Sequence, residues 1–214
     1  KFAPSSGNPT RFISNLYDSP EHTVSLYPVL LSLGKDSLLD LPLFGIYQEL
    51  IEKMYLTVER LKVDYPVLET GIESCYNKIR HGRDEDNWPY AFPLIRILGK
   101  LDSKESIQWL YRFLALGNTE IKEEAAMQLL QKRKKVPAEE WKSIASDKKL
   151  RIGLYRQLRQ NKKTKLFPSA YLNQQAFSEG LIWESFEDEE PAEVTYLGEE
   201  FAEFNGKKQK FHLY

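Results

Sequence analysis

Three histidines, one cysteine and scattered carboxylates are the side chains this 214-residue chain offers to acid–base, nucleophilic or metal chemistry. His22, His81 and His212 lie far apart, and none has a second histidine three or four residues on, so the paired-histidine pattern of a zinc helix is missing. His81 with Asp84, Glu85 and Asp86 gathers one imidazole and three carboxylates in a short span, a donor set suited to a divalent ion. The plainer reading of so polar a run is a solvated loop. Asp84, Asp86 and Asn87 lack the glycine and distal glutamate of a calcium loop. Cys75 has no local histidine signature and reads as a buried structural thiol. Neither a glycine-rich phosphate loop nor a Gly-x-Ser-x-Gly elbow occurs. The expectation is a chain without catalytic residues, metal or cofactor.

Charge carries more information. Net charge is −1, but Gln131–Lys165 holds 13 basic residues against three acidic ones. From Glu179 to Glu203 the balance inverts, with ten carboxylates and no lysine or arginine. Three accounts compete. The basic residues form solvated surface; the acidic stretch docks on them within the chain, each exposed pair being worth little; or a basic face of Lys132, Arg133, Lys135, Lys148, Arg151, Arg156 and Arg159 binds a phosphate backbone, with steep salt dependence.

Composition is that of an ordinary globular protein, 42% apolar and 29% charged. One cysteine permits no internal disulfide. The longest mostly apolar run, Leu26–Leu33, is short for a bilayer and is broken by Pro28, so membrane insertion is not expected. No signal-peptide pattern is read. A start at Lys1 and an end at Tyr214 inside a strand-like pattern give the expectation of a soluble piece of a longer protein, its compartment open.

The spacing of apolar residues predicts helices. After a loop over residues 1–19, one helix opens at Ser19-Pro20-Glu21 and stops at Gly34. Another region begins at Asp36 or Ser37, is delayed by Pro42, and runs to about Leu61. Val63–Leu68, with Pro66, reads as extended, and Ile72–Ile79 as a helix ended by Gly82. Trp88–Leu101 presents Phe92, Ile95 and Leu98. Asp102 with Glu105 makes a capping box ahead of Ile107, Leu110, Tyr111 and Leu114. Gly117 suits a left-handed helix end and Asn118 the next cap, ahead of Ile121, Ala125 and Leu129. Pro137 starts a short helix with Trp141, Ile144 and Ala145, and Asp147 opens another with Leu150, Leu154 and Leu158. Beyond a polar link at Asn161–Lys165, Pro168 starts a last helix that ends near Gly180. An acidic connector, Glu184–Pro191, leads to a strand at Val194–Leu197 and a hairpin about Asn205-Gly206. Trp88, Trp109, Trp141 and Trp183, about one per helix, read as core fillers.

Ile121, Ala125 and Leu129 recur 29 residues on as Leu150, Leu154 and Leu158; Lys122 is matched by Arg151 and Asn118 by Asp147. A fixed period near 30 marks stacked helical hairpins. An earlier partial copy lies at Leu94-Ile95-Arg96-Ile97-Leu98-Gly99. On Phe92–Ile107 and Asn118–Ala126 the chain resembles the HEAT-repeat family (armadillo-type) in its short bacterial form, over residues 88–160 best. The family often carries Asp at the turn and Arg after the first apolar residue, here Asn118 and Lys122. The resemblance implies an α-α superhelix with a concave face and a scaffold or binding role, without specifying a ligand. HEAT-like DNA glycosylases are one nucleic-acid-binding precedent, though their active-site residues are not matched here.

The sequence therefore predicts a mainly α solenoid of helical hairpins with a small C-terminal β-hairpin. Its regions are a loop at 1–19, the repeats at 20–165 and an appendage at 166–214. The expected function is a non-catalytic protein-interaction or scaffold module with a protein partner. Its rivals are a nucleic-acid-binding solenoid and an accessory domain of an enzyme whose catalytic part lies outside this chain.

Overall fold

The computed structural model describes residues 24–35, 41–81, 91–186 and 194–214. The expected start at Ser19-Pro20, the turn at Gly82 and the Asp84–Asp86 cluster lie outside them. The described chain is mainly helical, with one two-stranded antiparallel hairpin. It divides between Lys135 and Val136 into two compact units, a boundary inside the region expected to be continuous repeats. None of the described helices is long and apolar enough to cross a membrane.

The first unit holds α1 (Tyr27–Lys35), α2 (Leu41–Glu52), α3 (Val58–His81), α4 (Ala91–Lys100), α5 (Lys104–Leu114) and α6 (Thr119–Gln131). α1 packs on α3, α2 on α4, and α4, α5 and α6 pack mutually. α1 continues through Gly34, and Pro42 sits in the first turn of α2, where its missing N–H costs nothing. The helix expected to reach Leu61 instead breaks after Glu52. Met54 turns left-handed (φ 61°), its amide bonds the Ile51 carbonyl and the Tyr55 amide bonds that of Leu50.

The largest correction is α3. Val63–Leu68 is not extended; it belongs to a 24-residue helix that runs through Pro66. Leu61, Tyr65, Leu68, Ile72, Cys75 and Ile79 are all buried at alternating steps of four and three. That continuous stripe outweighs the single lost backbone bond of the proline.

The central turn is also shifted. The cap of α5 is Ser103, not Asp102: its Oγ accepts from the Ser106 amide at 3.0 Å, and the Ser106 Oγ accepts from the Ser103 amide at 3.3 Å. The core face rotates with it. Trp109, Leu110, Phe113 and Leu114 are buried, whereas Tyr111 is exposed and Ile107 half-buried. Likewise α4 buries Leu94, Ile95, Ile97 and Leu98 and leaves Phe92 half-buried. Gly117 is not left-handed; α5 ends through a right-handed Ala115. Asn118 does cap α6, accepting from the Ile121 amide at 2.8 Å, and Ile121, Ala125 and Leu129 are fully buried.

The second unit holds α7 (Ala138–Ser146), α8 (Lys148–Gln160), two single turns of 3-10 helix (Thr164–Leu166 and Ser169–Tyr171), α9 (Gln174–Ser185), β1 (Gly198–Phe204) and β2 (Lys207–Leu213). Asp147 caps α8, accepting from the Lys149 amide at 3.0 Å. Leu154 and Leu158 are buried as expected, but Leu150 only half so. The helix expected from Pro168 to Phe177 starts at Asn173, whose side chain accepts from the Ala176 amide at 2.9 Å, and it runs past Gly180. Gly180 is a contact point and not a terminator: a Cβ there would stand 2.8 Å from Cγ1 of Ile152 on α8. Val194–Leu197 is not yet strand. Asn205 and Gly206 both take positive φ (52° and 70°), the type I′ turn that Asn-Gly favours.

One prediction follows from the close approach of α8 and α9. Gly180→Leu should lower the stability of the second unit by about 2 kcal/mol, because overpacking outweighs the better helix propensity. Urea unfolding monitored by circular dichroism measures it. An unchanged midpoint would mean that the helices are not packed at this point.

Candidate functional site

Helix ends decide where the basic residues go. α6 finishes with Arg133 left-handed (φ 57°); its amide bonds the Leu130 carbonyl and the Lys134 amide bonds that of Leu129, the paired bonds of a Schellman cap. α8 finishes the same way 29 residues later, with Lys162 left-handed (φ 56°), its amide on Arg159 and the Lys163 amide on Leu158. Cations gather at both ends, where they complement the negative pole of the helix. Within the first unit, Arg133 and Lys135 are exposed, and the Lys135 carbonyl accepts from the Tyr111 hydroxyl at 2.9 Å. The Lys132 side chain is nearly buried, its Nζ 3.7 Å from Asp102, and burial holds its ammonium below the usual lysine range against the pull of that carboxylate.

In the second unit Arg151 is buried. Its Nε donates to the Ala145 carbonyl at 2.9 Å and its Nη1 to the Ala176 carbonyl at 2.8 Å; Nη1 also lies 3.3 Å from the Glu179 carboxylate. Its guanidinium sits 4.7 Å from the Tyr171 ring centre. Every face of this cation is used inside the protein. Arg156 pairs with Glu184 at the surface. Glu179 and Glu184, the first two carboxylates of the acidic stretch, thus each engage an arginine of α8. Lys148 is half-buried and Arg159 exposed. Of the seven basic residues, Arg133, Lys135 and Arg159 are exposed without a described charge partner, and they are divided between the two units.

Sequence reasoning missed the surface of the hairpin. In its register, Glu200, Ala202, Phe204, Phe211 and Leu213 share one face, and Phe204 (56%), Phe211 (39%) and Leu213 (40%) are exposed on it. The hairpin is tied to α9 along β2 and its end. Gln174 donates to the Lys210 carbonyl at 2.8 Å and the Tyr214 hydroxyl to the Gln175 carbonyl at 3.0 Å. The His212 side chain is only 3% exposed; its Nδ1 lies 3.4 Å from the Tyr196 hydroxyl and 3.7 Å from Glu199. Glu199 itself accepts from Lys210, which holds its carboxyl below the usual range. The sequence marked the turn at Asn205-Gly206 but not what the hairpin touches, since that depends on α9.

Titratable groups also meet in the first unit. Asp64, buried on α3, accepts from the Tyr27 hydroxyl and the Arg60 Nε, both at 2.7 Å. Tyr47 stands edge-on to Tyr27 with ring centres 5.9 Å apart. Burial, with Asp64 adding, raises the phenols of Tyr27 and Tyr47 above the ordinary tyrosine value; burial, with Glu69 and Glu105 adding, raises that of Tyr65. The cluster staples α1 to α3. Cys75 is buried, as expected. No group of three or more metal-ligating side chains occurs among the described residues. Trp109 and Trp141 are buried.

Comparison with known proteins finds no matching family model, no significant match among curated proteins and none among solved structures.

Two expected outcomes test this picture. Arg151→Met should destabilise the second unit by about 3–5 kcal/mol, since it strands a carboxylate and three carbonyls; Arg151→Lys should recover only part, because an ammonium cannot span the same acceptors. Chemical denaturation that places Arg151→Met within about 1 kcal/mol of the parent would refute the buried node. For the tyrosines, the unfolded phenols ionise near pH 10 while the folded ones stay neutral to higher pH. Their contribution is therefore fully present below about pH 10 and lost as pH rises above it. The phenolate absorbance of these three buried tyrosines should appear on the alkaline side only together with loss of helical signal; full phenolate absorbance of the chain reached with no loss of helix would contradict it.

Proposed function

We propose that this chain is a non-catalytic protein-interaction or scaffold module built of repeated helical hairpins in the HEAT-like manner. The observation that carries the reading is the duplicated helix unit. Asn118–Lys134 and Asp147–Lys163 share a side-chain N-cap, buried residues at matched positions and the same left-handed C-cap, all at a spacing of 29 residues. Repetition of one helical unit at a fixed spacing is the mark of helical-repeat scaffolds. The partner is a polypeptide.

Nucleic-acid binding is the rival, carried by the exposed cations at the ends of α6 and α8. It is weakened by the burial of Arg151 and the pairing of Arg156, which take two arginines out of any phosphate-binding face. The test is fluorescence anisotropy with labelled duplex DNA and single-stranded RNA at about 50 and 200 mM salt. The scaffold reading expects no binding at either salt. Tight binding at low salt that weakens by orders of magnitude at the higher one would overturn it in favour of the nucleic-acid reading.

A further inference from the structure

Among the described residues, no strand pairs with the outer edge of β1. A two-residue type I′ turn closes a hairpin on a hydrogen-bonded pair, here Phe204 and Lys207, after which bonded and non-bonded pairs alternate. Ala202–Gln209 and Glu200–Phe211 are thus bonded between the strands, and at the open end the Leu213 carbonyl accepts from the Leu197 amide at 2.8 Å. The backbone groups of Glu199, Phe201 and Glu203, and of Lys208, Lys210 and His212, point outward. On the β2 side the outward Lys210 carbonyl is taken by Gln174 of α9. On the β1 side no described residue bonds the outward amides and carbonyls of Glu199, Phe201 or Glu203.

The occupant follows from charge. β1 carries Glu199, Glu200 and Glu203 and no cation; β2 carries Lys207, Lys208 and Lys210 and no carboxylate. Two copies joined through β1 set glutamate against glutamate, and two joined through β2 set lysine against lysine, both unfavourable. Joining β1 of one copy to β2 of the next repeats about every 10 Å, too short a step for the helices each hairpin is tied to. A second copy is therefore disfavoured at this edge.

We propose that the outer edge of β1 takes an extended, basic segment of a partner polypeptide as a third strand. This rests on the interaction-module reading only in taking the partner to be a polypeptide. Main-chain bonds to Glu199, Phe201 and Glu203 supply the pairing, and side chains set the choice. Glu199 is already engaged by Lys210, so Glu200 and Glu203 select, and they lie on opposite faces of the strand. The segment needs lysine or arginine three residues apart, with an apolar residue beside Phe204 between them and the turn.

The probe is a fluorescein-labelled ten-residue peptide of valine and threonine with two lysines three apart. The controls are the same peptide with glutamate for lysine, and the lysine peptide N-methylated at alternate amides. With the intact chain, the lysine peptide should bind at least tenfold more tightly than either control, and the double variant Glu200→Lys/Glu203→Lys should reverse the preference toward the glutamate peptide. Absence of binding, or equal binding of the N-methylated peptide, overturns strand addition. Failure of the double variant to reverse the preference overturns the assigned selectors, its fold being checked by an unchanged circular dichroism spectrum. These outcomes leave the interaction-module reading standing, which the nucleic-acid titration tests separately.

Discussion

The second unit depends on one buried cation. A guanidinium removed from water must find acceptors all round or the unit does not form, and Arg151 finds them on three segments at once. The carbonyls of Ala145 and Ser146 end α7, the Ala176 carbonyl and Glu179 carboxylate belong to α9, and Tyr171 covers the flat face. The 3-10 turn carrying Tyr171 and the register of α9 on α8 are fixed by that demand. The aromatic trio of Tyr155, Phe167 and Phe177 then fills the space beside it. Because α9 is held, Gln174 and Gln175 stand where they can receive the hairpin through Lys210 and Tyr214.

The first unit is organised by a stripe. Six buried residues of α3, from Leu61 to Ile79, run down one side of the helix, and the polar cluster at Asp64 ties its early turns to α1. Tyr76 meets Trp109 and Phe113 of α5 with ring centres 5.4 and 5.3 Å away. At the far end α4, α5 and α6 close on one another, and the α6 cap displays the basic run. One cation of each unit, Lys132 and Arg151, is drawn inside, while the other basic residues about the C-terminal ends of α6 and α8 face water.

α6 and α8 were legible because caps and apolar rows agree there: Asn118 and Asp147 cap as read, and the rows ending at Leu129 and Leu158 are in the core. Errors came where one residue type has two physical uses. Pro66 reads as a breaker, yet a long apolar stripe carries the helix through it. Gly180 reads as a stop, yet it is the close approach of two helices, and nothing local reveals Ile152 opposite. Gly117 reads as left-handed, while the left-handed positions belong to Met54, Arg133 and Lys162, residues with no such preference, held there by the cap bonds around them. For the candidate site, the reversal of charge between α8 and the acidic stretch was visible, and Glu179 and Glu184 do meet Arg151 and Arg156. Which cations are buried was not visible, because burial of Arg151 requires the Ala176 carbonyl 25 residues away. The open edge of β1 was legible only as a hairpin, since its partner surface is set by α9.

Cys75 has a practical consequence. It is the one thiol in the chain and is fully buried in the stripe of α3. A thiol-specific reagent can reach it only when the first unit opens, so the labelling rate of the unmodified protein counts openings of that unit alone. The second unit has no thiol and is silent to the reagent. Nature has thus placed a single-site clock in one half of the chain, and comparing its rate with and without a binding partner would tell whether an event in the other half is felt there.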